Sequence, residues 1–76
     1  MKELLEFIAR SIVDDPGAVS VSEEREGDTL VLRLSVDQDD VGKVIGRGGR
    51  IIRALRTVVR ASSVRDGRRV QVEIAG

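Results

Sequence analysis

The sequence lacks the side chains on which most enzymatic and redox chemistry depends. It contains no cysteine, which excludes disulfide bonds and thiolate chemistry. It also contains no histidine, which removes the commonest general base and the commonest metal ligand. The remaining residues suggest no pairing of a nucleophile with a base. We therefore expect a protein that is not an enzyme and that uses no metal or other cofactor.

Aromatic residues and long apolar runs are also scarce. Phe7 is the single aromatic residue, so nucleic-acid bases could not stack on a platform of aromatic rings. No apolar run approaches the roughly 20 residues of a membrane-spanning helix, and Met1–Leu4 is unlike the start of a signal peptide. These features predict a soluble, cytoplasmic protein in which residues 1–76 form one small domain.

The net charge is zero, but the two signs are separated along the chain. Residues 1–40 contain four Lys or Arg and eleven Asp or Glu, a net charge of −7. Residues 41–69 contain nine Lys or Arg and one Asp, a net charge of +8. Segregation of this kind predicts a basic face and a polyanionic partner, although solvated surfaces joined by internal ion pairs would give the same pattern.

Hydrophobic periodicity predicts three helices and three strands. In chain order, the expected elements are a helix over 2–14, strands over 18–25 and 29–36, helices over 41–46 and 50–61, and a strand over 69–75. The residue before Pro16 ends the first helix, Glu26-Gly27-Asp28 forms the turn of a hairpin, and Asp39 or Asp40 caps the second helix.

This order of elements predicts a two-layer α+β domain. The first two strands form a hairpin and must be antiparallel. The second and third strands are joined through two helices, and a crossover of that kind makes them parallel. We therefore expect a three-stranded mixed sheet with three helices packed on one face.

The strongest functional signal is the glycine corner, Gly46-Arg47-Gly48-Gly49, between the second and third helices. Its three glycines allow a sharp turn and let a ligand approach the backbone. The helix that follows presents unsatisfied N–H groups and the positive end of its dipole. With Lys43, Arg47 and Arg50 nearby, the corner suits an anion such as a phosphate. The alternative is a purely structural turn, which would need one glycine rather than three.

The third helix is expected to have two different faces, each covering an arc of about 120°. One face is apolar and should meet the core; it consists of Ile51, Ile52, Leu55, Val58 and Val59. The other is an arginine stripe that consists of Arg50, Arg53, Arg56 and Arg60. The stripe either raises the positive field for a polyanion or is a solvated helix face.

Other sites built from similar residues fit poorly. A P-loop requires Gly-Lys followed by Ser or Thr, whereas this run continues Gly48-Gly49-Arg50. A dinucleotide-binding fingerprint directly follows a strand, whereas this corner follows a helix. The acidic residues Asp37, Asp39 and Asp40 are explained by helix capping rather than by a metal site.

The stretch Val44–Ile52 resembles the V-I-G-x-x-G core of a KH domain, and the element order resembles the type II form of that fold. The resemblance extends through Leu5–Pro16, the run Asp40–Gly46 and Ala54–Val59. Over essentially the whole chain, the sequence is similar to the KhpA family of small, stand-alone bacterial KH domains. This resemblance implies an RNA-binding module.

In KH domains the G-x-x-G loop holds the backbone of about four nucleotides, and the bases lie in an apolar groove. The resemblance implies that the RNA-binding residues are Gly42, Lys43, Val44, Ile45, Gly46, Arg47, Gly48, Gly49, Arg50, Arg53, Arg65 and Arg68. Arg65 and Arg68 belong to the expected variable loop, 62–68, at the other wall of the groove. Many relatives carry a polar or basic residue where this chain has Gly48, so one phosphate contact is expected to be weaker.

The resemblance also implies partners and a cellular role. The implied partners are single-stranded RNA and a second copy of the chain or a KhpB (Jag)-type KH protein. The implied role is RNA chaperone activity or post-transcriptional regulation linked to cell elongation and cell-wall synthesis. Two alternatives stay open. A helix-hairpin-helix DNA binder has a similar Ile-Gly-x-Gly corner, although the predicted β-hairpin argues against it. A protein-interaction module with a vestigial groove is the other.

Overall fold

The structure is a computed structural model that describes residues 2–63 and 69–75. Within these residues the chain forms helices α1 (Lys2–Ile12), α2 (Val41–Ile45) and α3 (Arg50–Ser63) and strands β1 (Ser20–Glu26), β2 (Thr29–Ser35) and β3 (Arg69–Ala75). Short 3₁₀ turns occupy Pro16–Ala18, Gln38–Asp40 and Arg47–Gly49. No helix in the described ranges has the length and apolar character needed to cross a membrane.

The three strands form one sheet in the order β1-β2-β3. Strands β1 and β2 are antiparallel, and β2 and β3 are parallel. The predicted α+β fold, a three-stranded mixed sheet with the order αββααβ, is therefore confirmed. Glu26 pairs with Thr29, so the hairpin turn contains only Gly27 and Asp28, one residue fewer than predicted. Gly27 adopts a φ of 62°, which glycine accepts without steric cost.

The core lies between the helices and one face of the sheet. Its central members are Leu5 and Ala9 of α1, Leu32 and Leu34 of β2, Val44 of α2, Leu55 and Val59 of α3, and Val70 and Val72 of β3. These residues are at most 6% exposed. Successive side chains of a strand point to opposite faces of the sheet. Leu32 and Leu34 of β2 therefore lie in the core, and Arg33 between them lies on the helix-free face.

A charged cluster crosses the opposite face of the sheet. Arg33 in the middle strand contacts Glu24 of β1 at 2.6 Å and Glu73 of β3 at 3.2 Å. The hydrogen bond that Arg33 donates to Glu73, followed by the charge of Glu24, raises the pKa of Arg33. Val31 is on the same face, beside Glu24 and Gln71, and is only 1% exposed. The acidic and basic residues here form ion pairs within the sheet rather than a separate basic face.

Three element boundaries differ by two residues from the sequence predictions, and one residue expected in the core is exposed. The first helix ends at Ile12 rather than at 14, although the N–H of Val13 still donates to Ala9. Strand β1 begins at Ser20 rather than at 18, and α3 runs to Ser63 rather than to 61. Val58 was expected in the core but is 42% exposed. The buried side chains of α3 are centred on Leu55 and Val59. Because successive residues of a helix are rotated by about 100°, Val58 points away from Val59 and lies outside the core.

The prediction that Asp39 or Asp40 caps the second helix is wrong. The carboxylate of Asp37 accepts from the N–H of Asp39 at 2.9 Å and so caps the 3₁₀ turn. Asp40 makes no side-chain capping bond to α2. It is 3% exposed, and its Oδ2 accepts from the N–H of Asp15 at 3.1 Å. Asp40 therefore joins the start of α2 to the segment that follows α1.

We predict that Asp40 contributes to stability by this bond. In Asp40→Ala, the N–H of Asp15 loses its acceptor, and the free energy of unfolding should fall by about 1–3 kcal/mol. Asp40→Asn keeps an acceptor oxygen and should lose less. Urea denaturation followed by circular dichroism measures both. Asp39→Ala, at an exposed position, is the matched control. Equal midpoints for Asp40→Ala and Asp39→Ala would show that the bond is unimportant.

Candidate nucleic-acid interface

The glycine corner has a backbone path that non-glycine residues rarely adopt. Helix α2 ends where the N–H of Gly46 donates to the carbonyl of Gly42 at 2.9 Å. Gly46 then has φ 74° and ψ 173°, a combination found almost only in glycine. Gly48 has a φ of 63° and Gly49 a φ of 77°. The backbone conformation thus requires glycine at Gly46 and favours it at Gly48 and Gly49.

The three glycines differ in what surrounds them. A β-carbon on Gly46 would lie 2.7 Å from Cγ1 of Ile51, so the first turn of α3 packs directly against this residue. A β-carbon on Gly48 would meet no atom within 4 Å. Gly46 is therefore part of the packing between α2 and α3, whereas Gly48 faces open space at the outside of the corner.

Two backbone N–H groups point outward from the corner. The carbonyl of Gly46 accepts from the N–H of Gly49 at 3.1 Å, and the carbonyl of Arg47 accepts from the N–H of Arg50. None of the described peptide bonds is cis, and in a trans peptide the N–H points away from the carbonyl. Because these two carbonyls point into the turn, the N–H groups of Arg47 and Gly48 point out of it.

These outward N–H groups suit an anion. Within the described part of the chain, no backbone acceptor takes a hydrogen bond from the N–H of Arg47 or Gly48. They lie just before α3, a helix of 14 residues whose dipole places partial positive charge at this end. Successive free N–H groups in such a turn form a concave site that binds phosphate or carboxylate oxygens.

The arginine stripe divides into two parts. Arg50 and Arg53 are exposed beside the corner. Arg53 folds back onto it, donating from Nη2 to the carbonyl of Gly48 at 2.8 Å and from Nε to that of Gly49 at 3.3 Å. One turn further along, Arg56 is half-buried and reaches the carbonyl of Val72 in β3 at 3.4 Å. Next to the corner, Arg50 and Arg53 are thus exposed arginines of the stripe, whereas Arg56 is directed toward the sheet.

Lys43 is directed toward acidic residues. Its Nζ donates to the carboxylate of Asp14 and lies 3.7 Å from that of Asp40. The hydrogen bond that Lys43 donates to Asp14 is the main cause that raises the pKa of Lys43. The carboxylate of Asp14, just after α1, consequently balances the charge of Lys43. Of the three cations expected around the corner, only Arg47 and Arg50 have exposed side chains without an ion pair among the described residues.

The remaining expected residues of α2 have different environments. Val44 is 0% exposed and belongs to the core, so its side chain positions the helix. Ile45 is 37% exposed, and Gly42 is exposed with no atom within 4 Å of a β-carbon built on it. Gly42 and Ile45 thus offer an uncharged surface before the corner. Arg65 and Arg68 lie outside the described residues.

Sequence reasoning missed two features of the site. The hydrogen bond from Lys43 to Asp14 joins positions 29 residues apart, and no local pattern indicates it. The bonds of Arg53 to the corner carbonyls span only four and five residues. The i, i+4 spacing of an arginine and a helix-terminal glycine could have indicated them.

Comparisons with known proteins agree with this geometry. The family model described as KhpA/KhpB, KH domain, matches residues 2–74. The chain belongs to the KhpA/KhpB family of KH domains. A KhpA/KhpB relative from Clostridium acetobutylicum, named RNA-binding protein KhpA, is 51% identical over 97% of this chain and 99% of its own length.

Other KhpA relatives are equally well covered. Proteins with the same name from Halalkalibacterium halodurans and Treponema pallidum are 50% and 47% identical, over 97% and 96% of this chain and 97% and 91% of their own lengths. No solved structure matches the chain. The resemblance to the KhpA family, and to the type II KH fold, is confirmed.

The packing of the corner leads to a prediction about its glycines. Gly46→Ala combines an unfavourable backbone conformation with a clash against Ile51, and should lower the free energy of unfolding by about 2–4 kcal/mol. The β-carbon of Gly48→Ala would meet open space. Only its left-handed backbone conformation should therefore lower the free energy of unfolding, by about 1–2 kcal/mol. Urea denaturation of both variants beside the wild type measures the difference. A cost for Gly48→Ala that equals or exceeds that of Gly46→Ala would contradict the packing described.

Proposed function

We propose that this domain binds single-stranded RNA and that the glycine corner holds an RNA phosphate. The observation that carries the proposal is the pair of outward N–H groups at Arg47 and Gly48. Membership of a family whose relatives are named RNA-binding proteins supports it. In this proposal Arg47 and Arg50 supply positive charge, and Gly42 and Ile45 line the adjoining surface for the bases.

Binding by this surface should be weak and only modestly specific. Bases would rest on Ile45 and on the backbone near Gly42, because the chain provides no aromatic platform for stacking. Phe7, its one aromatic residue, lies on α1. Backbone contacts to phosphate carry little sequence information. Useful affinity would therefore require two domains that act on one RNA strand.

The cellular role that we propose follows from the family. It is RNA chaperone activity or post-transcriptional regulation in the cytoplasm, linked to cell elongation and cell-wall synthesis. A non-enzymatic role of this kind fits the lack of histidine and cysteine. A domain that binds weakly and with little sequence preference can act on many RNA strands and release them, as a chaperone must.

The RNA-binding proposal is tested by fluorescence-anisotropy titrations with labelled single-stranded RNA, single-stranded DNA and duplex DNA. If about three phosphates are neutralised, log affinity should fall against log salt concentration with a slope near −2 for RNA. The double variant Arg47→Asp with Gly48→Asp should lose binding, because it places two carboxylates beside the outward N–H groups. Circular dichroism establishes that the variant is folded.

A matched control carries the same change in charge elsewhere. Arg25→Asp with Gly27→Asp also replaces one exposed arginine and one glycine of positive φ, at the β1–β2 turn. It should bind RNA almost as well as the wild type. Equal loss in both double variants would indicate a general electrostatic effect. Preference for duplex DNA would favour the helix-hairpin-helix alternative, and no binding at all would favour the protein-interaction module.

We further propose that the domain associates with a second copy or with a KhpB-type partner through α3. Between its core face and the arginine stripe, α3 carries an apolar strip composed of Ile51, Ala54, Val58 and Ala61. Ile51 is half-buried, and the other three are exposed, with Val58 at 42%. Burial of exposed apolar surface is the main driving force for association.

The association proposal predicts that Val58→Asp weakens self-association. A carboxylate on the apolar strip would be desolvated in the interface without a partner, which is strongly unfavourable. Sedimentation equilibrium should show a dimer for the wild type and a monomer for this variant. Thr57→Asp adds the same charge at a neighbouring exposed position and should remain dimeric. A wild type that stays monomeric alone and mixed with a KhpB-type protein would overturn the proposal.

A further inference from the structure

We propose that Arg53 is a positioning residue that fixes the glycine corner in its phosphate-binding conformation, rather than a residue that binds phosphate itself. This inference rests on the proposed RNA-binding function. The two hydrogen bonds from its guanidinium to the carbonyls of Gly48 and Gly49 carry the argument. The donors, Nε and Nη2, lie side by side on one edge of the planar guanidinium and form a fork. A lysine side chain cannot reproduce this geometry.

The corner requires such a restraint because its own backbone is unusually free. Three of its four residues are glycines, and glycine loses more conformational freedom on ordering than any other residue. A β-carbon on Gly48 would meet no neighbouring atom, so packing does not restrain this residue. A loop that is disordered before binding must be ordered by the ligand, and that cost lowers affinity.

The fork also determines which backbone groups face the ligand. Carbonyl oxygens carry partial negative charge and repel a phosphate. Arg53 covers the carbonyls of Gly48 and Gly49 with a cation, on the α3 side of the corner. The N–H groups of Arg47 and Gly48 are left on the outer side. Arg53 thus orients the peptide groups and screens the unfavourable ones.

The experiment compares three variants with the wild type. Arg53→Lys keeps the charge but loses the fork, and Arg53→Gln loses the charge. Arg50→Gln removes a neighbouring charge that makes no hydrogen bond to the corner in the described residues. In the free proteins, ¹⁵N relaxation at Arg47, Gly48 and Gly49 reports the order of the corner, and so does amide hydrogen exchange at Gly49, whose N–H donates to the carbonyl of Gly46. RNA affinity is then measured over a range of salt concentrations.

Positioning predicts a specific pattern. Both Arg53 variants should show faster exchange and greater motion at the corner amides, and about five- to tenfold weaker RNA binding. Their salt slopes should match that of the wild type, because the number of neutralised phosphates is unchanged. Arg50→Gln should leave the free corner as ordered as in the wild type and reduce the slope by about 0.7, the value for one phosphate on a single strand.

Other results would overturn the inference. If Arg53→Lys binds as tightly as the wild type while Arg53→Gln binds more weakly, or if Arg53→Gln lowers the salt slope with an unchanged free corner, Arg53 binds phosphate directly. If neither variant changes corner order or affinity, Arg53 is a bystander. Failure of the RNA-binding function itself is recognised separately. In that case the wild type does not bind RNA. Relaxation and hydrogen exchange in the free proteins still show whether Arg53 restrains the glycine corner.

Discussion

A trans peptide group can direct its N–H outward only when its carbonyl points inward, and the functional geometry of this domain depends on that constraint. At the glycine corner, the carbonyls of Gly46 and Arg47 accept hydrogen bonds inside the turn. The following N–H groups are consequently presented to solvent, next to the positive end of α3. The sheet and core serve mainly to hold α2 and α3 at the angle that this turn requires.

Ion pairing determines which cations are available at the corner. The sequence places nine of its thirteen Lys and Arg residues after residue 40, yet Lys43 pairs with Asp14. Arg33 in β2, before that point, is held between two glutamates. Arg56 reaches into the backbone of β3. Beside the corner, the exposed arginines of the described residues are therefore Arg47, Arg50 and Arg53, of which Arg53 is bonded to the corner carbonyls.

Most of the fold could be predicted from the sequence because its signals are local. Period-two alternation located β2 and β3, the glycine corner located the break between α2 and α3, and the crossover rule gave the parallel pairing. Helix-end positions were less predictable. Asp37, rather than Asp39 or Asp40, makes the capping hydrogen bond. Asp40 instead accepts from the N–H of Asp15, 25 residues away in the sequence, and is buried there.

The residue types of the candidate site could be read from the sequence, but their arrangement could not. Three glycines and adjacent arginines indicate a corner that suits an anion, since those properties belong to residue types. They do not show that Gly46 is required by packing against Ile51 whereas Gly48 faces open space. Nor do they show that Val58, which shares the apolar pattern of α3, is left outside the core. Both depend on how α3 is rotated against its neighbours.

The most direct test of this account is an NMR titration of the ¹⁵N-labelled protein with a short single-stranded RNA. If the corner binds phosphate through its outward N–H groups, the amide protons of Arg47 and Gly48 should move downfield, as hydrogen-bonded amides do, and should show the largest shifts in the protein. Saturable shifts confined to other surfaces, such as the helix-free face of the sheet around Arg33, with both corner amides unmoved, would contradict it.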